Sequence, residues 1–166
     1  IEADQPFLAR REIQHVAEPI ALLAHPRKEM LEVALAHLEV DVEKLPAVFT
    51  MEDALERGDI FKSYVVQNGD PSAQWREADV IVEETYRTGA QEHLYIEPQA
   101  VAAVARPEGV TIWGSMQCPY YIQHAIAPLF DLPRDRVRIV QTETGGGFGG
   151  KEEYPNMIAG HAALLS

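Results

Sequence analysis

Apolar and polar residues change period several times along this 166-residue chain, and each change marks a predicted element. Residues 19–24 (PIALLA) form a short unbroken apolar run, the pattern of a buried strand. Between Arg27 and Leu38, the residues Met30, Leu31, Ala34, Leu35 and Leu38 recur at helical spacing and predict an amphipathic helix. Residues 39–43 (EVDVE) alternate with period two, as a half-buried strand does. Thr50 stands three residues before Asp53, a capping-box spacing, and opens a short helix that Gly58 and Asp59 close.

The turn residues Asn68-Gly69-Asp70-Pro71-Ser72 predict a loop and the best domain boundary. Beyond it, residues 80–88 read as a strand, and residues 100–105 and 110–113 as a hairpin joined by Arg106-Pro107-Glu108-Gly109. Ile122, Ala125, Ile126, Leu129 and Phe130 form a helical stripe, which Asp131-Leu132-Pro133 ends. Residues 136–140 are a further strand, and residues 156–165 have the look of a helix. The chain contains no internal repeat. Its fold class is α+β, in two lobes covering residues 1–65 and 66–166.

Composition narrows the function. A net charge of -12 argues against a nucleic-acid partner, because phosphate binding requires a basic patch. No apolar run is long enough for a membrane span, so the chain reads as soluble, with cytoplasm as the default location. Cys118 is the sole cysteine, which excludes an internal disulfide. The six histidines are scattered, so a protein-ligated metal centre is not expected.

The candidate chemistry lies in three patches. The densest is Gly145-Gly146-Gly147-Phe148-Gly149-Gly150-Lys151-Glu152. It satisfies G-x-G-x-x-G and nearly satisfies the P-loop pattern, two loops whose backbone approaches an anion. The P-loop reading fails at Glu152 and Glu153: a magnesium-ligating hydroxyl belongs after the lysine, and two carboxylates would repel a polyphosphate. The dinucleotide reading lacks the second strand with its acidic residue. Two readings remain, a turn without a ligand and a loop packed on a cofactor. Five glycines in six residues carry a large entropic cost, which favours the cofactor.

The second patch is Gln91-Glu92-His93-Leu94-Tyr95-Ile96-Glu97-Pro98. Glu92 and Glu97 are either a carboxylate pair for acid–base work or satisfied polar groups at a sheet edge, and their odd separation weakens the first reading. The third is Ser115-Met116-Gln117-Cys118-Pro119, whose Cys118 is better read as a small apolar residue than as a nucleophile.

In this order the three patches resemble the molybdenum-binding subunit of the xanthine dehydrogenase / aldehyde oxidase family. Val16-Ala17-Glu18-Pro19-Ile20-Ala21-Leu22 and Leu45-Pro46-Ala47-Val48 resemble the hammerhead domain of the same family. The resemblance covers nearly the whole chain. It implies an incomplete α/β-hammerhead lobe over residues 1–65, followed by the first part of a molybdopterin-binding domain over residues 66–166. It implies an oxidoreductase that hydroxylates an aldehyde or N-heterocycle with water-derived oxygen. Its cofactor would be a molybdenum–pterin group, as molybdopterin or its cytosine dinucleotide. Electrons would leave through 2Fe–2S clusters to FAD or another acceptor on partner domains or subunits.

By position, the resemblance implies that Gln91 hydrogen-bonds an oxo ligand of the molybdenum. Gly147, Phe148 and Gly149 would bring backbone against the cofactor, with Gln117 nearby. Glu152 would face the substrate. No catalytic residue is expected within the chain, because the general-base glutamate of the family would lie beyond Ser166. The chain begins at Ile1 without an initiator methionine and stops at Ser166 inside a helical pattern. It is therefore expected to be an inactive portion of a larger protein. The alternatives are a non-catalytic assembly module with this fold, which would have no need of Gln91, Phe148 and Glu152 together, and a nucleotide-binding domain.

Overall fold

A computed structural model describes residues 5–166. The first four residues, where the expected hammerhead lobe opens, lie outside the described residues. The chain forms two compact units, one of residues up to Leu38 with Ala90–Ser166, the other Glu39–Gly89.

Within Glu39–Gly89 there are two short helices, each started by a side-chain cap. Thr50 accepts from the Asp53 N–H at 3.0 Å and starts α2 (Met51–Arg57), which ends at Gly58 in the left-handed conformation. Asp70 accepts from the N–H groups of Ser72 and Ala73 and starts α3 (Pro71–Glu77). The expected loop over residues 68–72 holds for 68–70, and the helix begins at Pro71. Asp followed by Pro is a turn signal, but the same pair serves as N-cap and first helical residue.

The other unit contains α1 (Lys28–Ala36), within the predicted helix, and all of the described sheet. Strands β1 (Val101–Arg106) and β2 (Gly109–Gly114) form the predicted hairpin. Helix α4 (Pro119–Leu129) then crosses over to β3 (Val137–Gln141), which pairs parallel with β2, giving the order β1-β2-β3. Helix α5 (Pro155–Leu164) ends the fold.

Alternation decides which face is covered. Ala103, Ile112 and Ile139 are register partners, and their neighbours two residues away share that face. Val110, Ile112 and Val137 there form one core with Ile122 and Ile126 of α4 and Ala159 and Ala163 of α5. The segment before α1 joins this unit, with His161 Nε2 donating to the Phe7 carbonyl at 2.6 Å.

Residues 19–24, 39–43 and 80–88 are not strands, contrary to expectation. Most of their apolar residues lie open, Val80 and Val82 each 79% exposed. A strand exists only where a neighbour completes its ladder, and among the described residues no ladder forms with these, a single Ala9 N–H to Pro19 carbonyl bond aside. No helix among the described residues is long and apolar enough to cross a membrane.

Candidate molybdopterin site

Register places the three patches at one end of the sheet. Val101 opens β1 opposite Gly114, the last residue of β2, and Gly114 pairs in turn with Gln141, the last of β3. Because β2 and β3 are parallel and β1 runs against them, the segments before 101, after 114 and after 141 all meet at that end. Ligand sites in sheets with parallel strands form at such carboxyl ends.

The three segments are held together by polar side chains. Glu97 Oε2 accepts from Lys151 Nζ at 2.6 Å, from Ser115 Oγ at 2.6 Å and from the Gly145 N–H at 2.7 Å. Lys151 is fully buried; its ammonium also donates to Ser115 Oγ at 2.9 Å and lies 4.8 Å from the centre of the Tyr95 ring. Gln117 Oε1 accepts from the N–H groups of Gly149 and Lys151, at 3.0 and 3.1 Å, while the Gln117 N–H donates to the Lys151 carbonyl at 2.7 Å. Gln99 Nε2 donates to the Gly150 carbonyl at 3.0 Å.

Most of the glycines answer to this packing. A Cβ on Gly147 would overlap Gln117 Oε1, one on Gly150 would lie 2.5 Å from the Tyr95 ring, and one on Gly145 would lie 2.7 Å from Glu97 Cβ. Gly146 and Gly149 instead have φ of 93° and 98°, a region that favours glycine. Phe148 between them has φ 52° and a ring 76% exposed, so the loop holds a bulky residue in a left-handed conformation at its open tip.

The Lys151 ammonium beside it, then the Ser115 hydroxyl and the Gly145 N–H, lower the Glu97 pKa from its ordinary value of 4.5 to about 2. Glu97 is thus a fixed anion, and its partners differ from those of Glu92, which accepts from the His93 N–H. The two do not act as a carboxylate pair sharing a proton. Because the folded pKa is depressed, the network is complete above pH 4.5 and weakens as pH falls toward about 2. A carbon-13 titration of the Glu97 carboxyl in the native protein should give a midpoint well below 4.5; an ordinary midpoint would mean that the network does not form.

Burial, then the charges of Glu152 and Glu153, push the Cys118 thiol up, so it stays protonated at neutral pH and is a poor nucleophile. Glu152 borders an open depression of about 530 Å³ that Glu92, His93, Gln99, Gly149 and Tyr154 also line. Gln91 is exposed, and its side chain has no hydrogen-bond partner among the described residues. Sequence reasoning passed over Glu97, Ser115 and Lys151 as a unit. They are 36 and 54 residues apart in their key pairs, and no local pattern relates them.

Among the described residues, the N–H groups of Gly146, Gly147 and Phe148 have no acceptor, although their neighbours Gly145, Gly149 and Gly150 do. Successive unpaired N–H groups in a turn that changes handedness along its residues, as at Gly146, Gly147 and Phe148, can form a concave donor site for anions and oxo groups. A molybdenum–pterin group, with oxygen acceptors on its metal and its phosphate, fits that donor set. No group of three His, Cys, Asp or Glu side chains among the described residues could ligate a metal directly.

A family model described as the molybdopterin cofactor-binding domain matches residues 55–166, a span containing all three patches. The chain is 35% identical to the nicotinate dehydrogenase large molybdopterin subunit of Eubacterium barkeri, over 98% of the chain and 40% of that protein. With the xanthine dehydrogenase of Emericella nidulans the identity is 31%, over 98% of the chain and 12% of that protein. With the xanthine dehydrogenase of Drosophila subobscura it is 32%, again over 98% of the chain and 12% of that protein. The chain thus spans less than half the length of these relatives. Its donor loop and the match across that loop agree: the chain belongs to the family of molybdopterin cofactor-binding domains.

Proposed function

We propose that this chain supplies the glycine-loop side of the cofactor site in a cytoplasmic molybdenum hydroxylase that oxidises an N-heterocycle with water-derived oxygen. The observation that carries the reading is the row of three acceptor-free N–H groups at residues 146–148, in a loop the family match covers. When bound, the molybdenum–pterin group supplies the two-electron acceptance that hydroxylation of an electron-poor carbon requires. The chain's own residues hold and orient. The N–H groups of Gly146, Gly147 and Phe148 would hold the cofactor, and the exposed Gln91 amide would donate to an oxo ligand. The Gly149 N–H is already taken by Gln117, so Gly149 contributes close backbone approach and Gln117 acts through the loop.

Glu152 is the substrate-facing group in this reading. Its carboxylate accepts a ring N–H and so turns the heterocycle toward the metal. An N-heterocycle is favoured over an aldehyde because the relatives are named for nicotinate and xanthine. The reading also assigns residues 1–65 to a partial hammerhead lobe and residues 66–166 to the start of the molybdopterin-binding domain. The general base, the 2Fe–2S clusters and FAD would then lie on other segments or subunits, and this chain alone would be inactive.

Elemental mass spectrometry of the native protein, captured from its own cells, tests the cofactor: near-stoichiometric molybdenum supports it, and none refutes it. In the active enzyme, Glu152→Gln should lower kcat/KM for a purine substrate, which carries a ring N–H, by roughly 10–100-fold, the scale of one charge-assisted hydrogen bond, and spare an aldehyde. Equal losses on both substrates would remove Glu152 from substrate orientation.

A further inference from the structure

The cluster behind the loop, in which the Glu97 side chain is 39% exposed, takes no part in the roles given to Gln91, Phe148 and Glu152. Glu97 Oε2, Ser115 Oγ and Lys151 Nζ bond one another, and Glu97 Oε2 also bonds the loop's backbone. Lys151 is fully buried and Ser115 is 5% exposed. What they hold is specific. Gly145 and Lys151 are the two residues that bracket the loop, and Glu97 Oε2 bonds both, through the Gly145 N–H and the Lys151 ammonium. Gln117 closes the same span from the other side.

We propose that Glu97 is a positioning residue: its carboxylate ties both ends of residues 145–151 together and so holds the free N–H groups of Gly146, Gly147 and Phe148 as fixed donors to the cofactor. The donors cost nothing to reorganise when the cofactor arrives, which is how preorganised N–H groups gain affinity. This role rests on the cofactor reading and gives a task to a carboxylate whose Oε2 is taken up by the loop and its lysine. The competing explanation is that Glu97 only neutralises a buried lysine.

A paired substitution separates the two. In the native full-length protein, Glu97→Leu alone leaves the Lys151 ammonium buried without its anion, and folding itself can fail. Glu97→Leu combined with Lys151→Met removes both charges and with them the desolvation cost of the buried ammonium, while the Glu97 side chain is 39% exposed. The Gly145 N–H still loses its acceptor.

Three quantities are read: thermal midpoint, molybdenum per polypeptide, and amide exchange of the peptide spanning residues 143–152. We expect the double variant to melt close to wild type. Its loop amides should exchange faster by on the order of tenfold, the equivalent of one lost charge-assisted hydrogen bond, and its molybdenum should fall by a similar factor. Glu97→Gln, which keeps an oxygen for Gly145, should lie between. A double variant that keeps full molybdenum and slow loop exchange overturns the proposal. Absence of molybdenum from wild type would instead defeat the cofactor reading, while loop exchange in the variants would still report whether Glu97 holds the loop.

Discussion

Gly147→Ala should empty the cofactor site while leaving most of the fold in place. A Cβ at 147 would overlap Gln117 Oε1 and come within 2.8 Å of its Cδ. Gln117 is an exposed, flexible side chain and can swing away, so the clash itself is inexpensive. The consequence is not. Gln117 Oε1 accepts from the N–H groups of Gly149 and Lys151, and both bonds are lost when it moves. Two ordinary hydrogen bonds amount to roughly 1–3 kcal/mol, a modest part of a domain's stability. The loop, however, loses one of its two anchors, and its free donors lose their common orientation.

Molybdenum content of the purified variant should therefore drop at least about tenfold, the effect of a loss of about 1.4 kcal/mol in holding the cofactor. The thermal midpoint should move by only a few degrees, roughly what such a loss produces in a domain of this size. Gln117→Ala should have the same effect, and combining the two should add little, since both act through the same pair of N–H groups. A fully additive double variant would show that Gly147 acts independently of Gln117.

Ile112→Ala is expected to carry the largest stability cost of any single truncation in the sheet. Ile112 is 0% exposed, in the middle of the central strand, with Ala103 on one side and Ile139 on the other. Both α4 and α5 contribute to the core it joins, so the surrounding side chains have little freedom to collapse into the gap. Removing its buried carbons beyond Cβ costs about 3–4 kcal/mol in such a setting, transfer and cavity together. The same change on the open face gives the control. Val104→Ala, at a residue 40% exposed, should cost less than about 1 kcal/mol. Amide exchange of β2 in the native protein measures both, with protection falling by about two orders of magnitude in the first variant only. Equal effects would mean that the second face of the sheet is covered as fully as the first.

The legible part of the fold is the part whose signals are local. Helix α4 is marked by its apolar stripe, α2 by the Thr50–Asp53 cap, and the β1–β2 hairpin by the turn at Arg106–Gly109. The elements that differ from expectation have non-local causes. Residues 80–88 have β-branched residues in strand-like order, but a strand requires a partner, and pairing is a property of distant residues. Asp70-Pro71 reads as a turn because one dipeptide serves two structures, and only the residues that follow decide between them.

The candidate site divides in the same way. The sequence by itself determined that the chemistry lies in three glycine- and polar-rich patches, and that the glycine loop is no P-loop, since Glu152 follows Lys151. It determined the family as well, because the order and composition of those patches are written in the chain. Only the tertiary structure decided why the glycines are there. From sequence, they read as room for a ligand. In the folded chain Gly145, Gly147 and Gly150 make room for Glu97, Gln117 and Tyr95, side chains from the two other patches, far away along the chain. What is left without an internal acceptor is a shorter row of three N–H groups, beside one exposed ring. Which donors are used internally and which stay free is a matter of hydrogen-bond closure across strands β1, β2 and β3. That closure depends on register and on a parallel crossover, neither of which any local pattern of residues encodes.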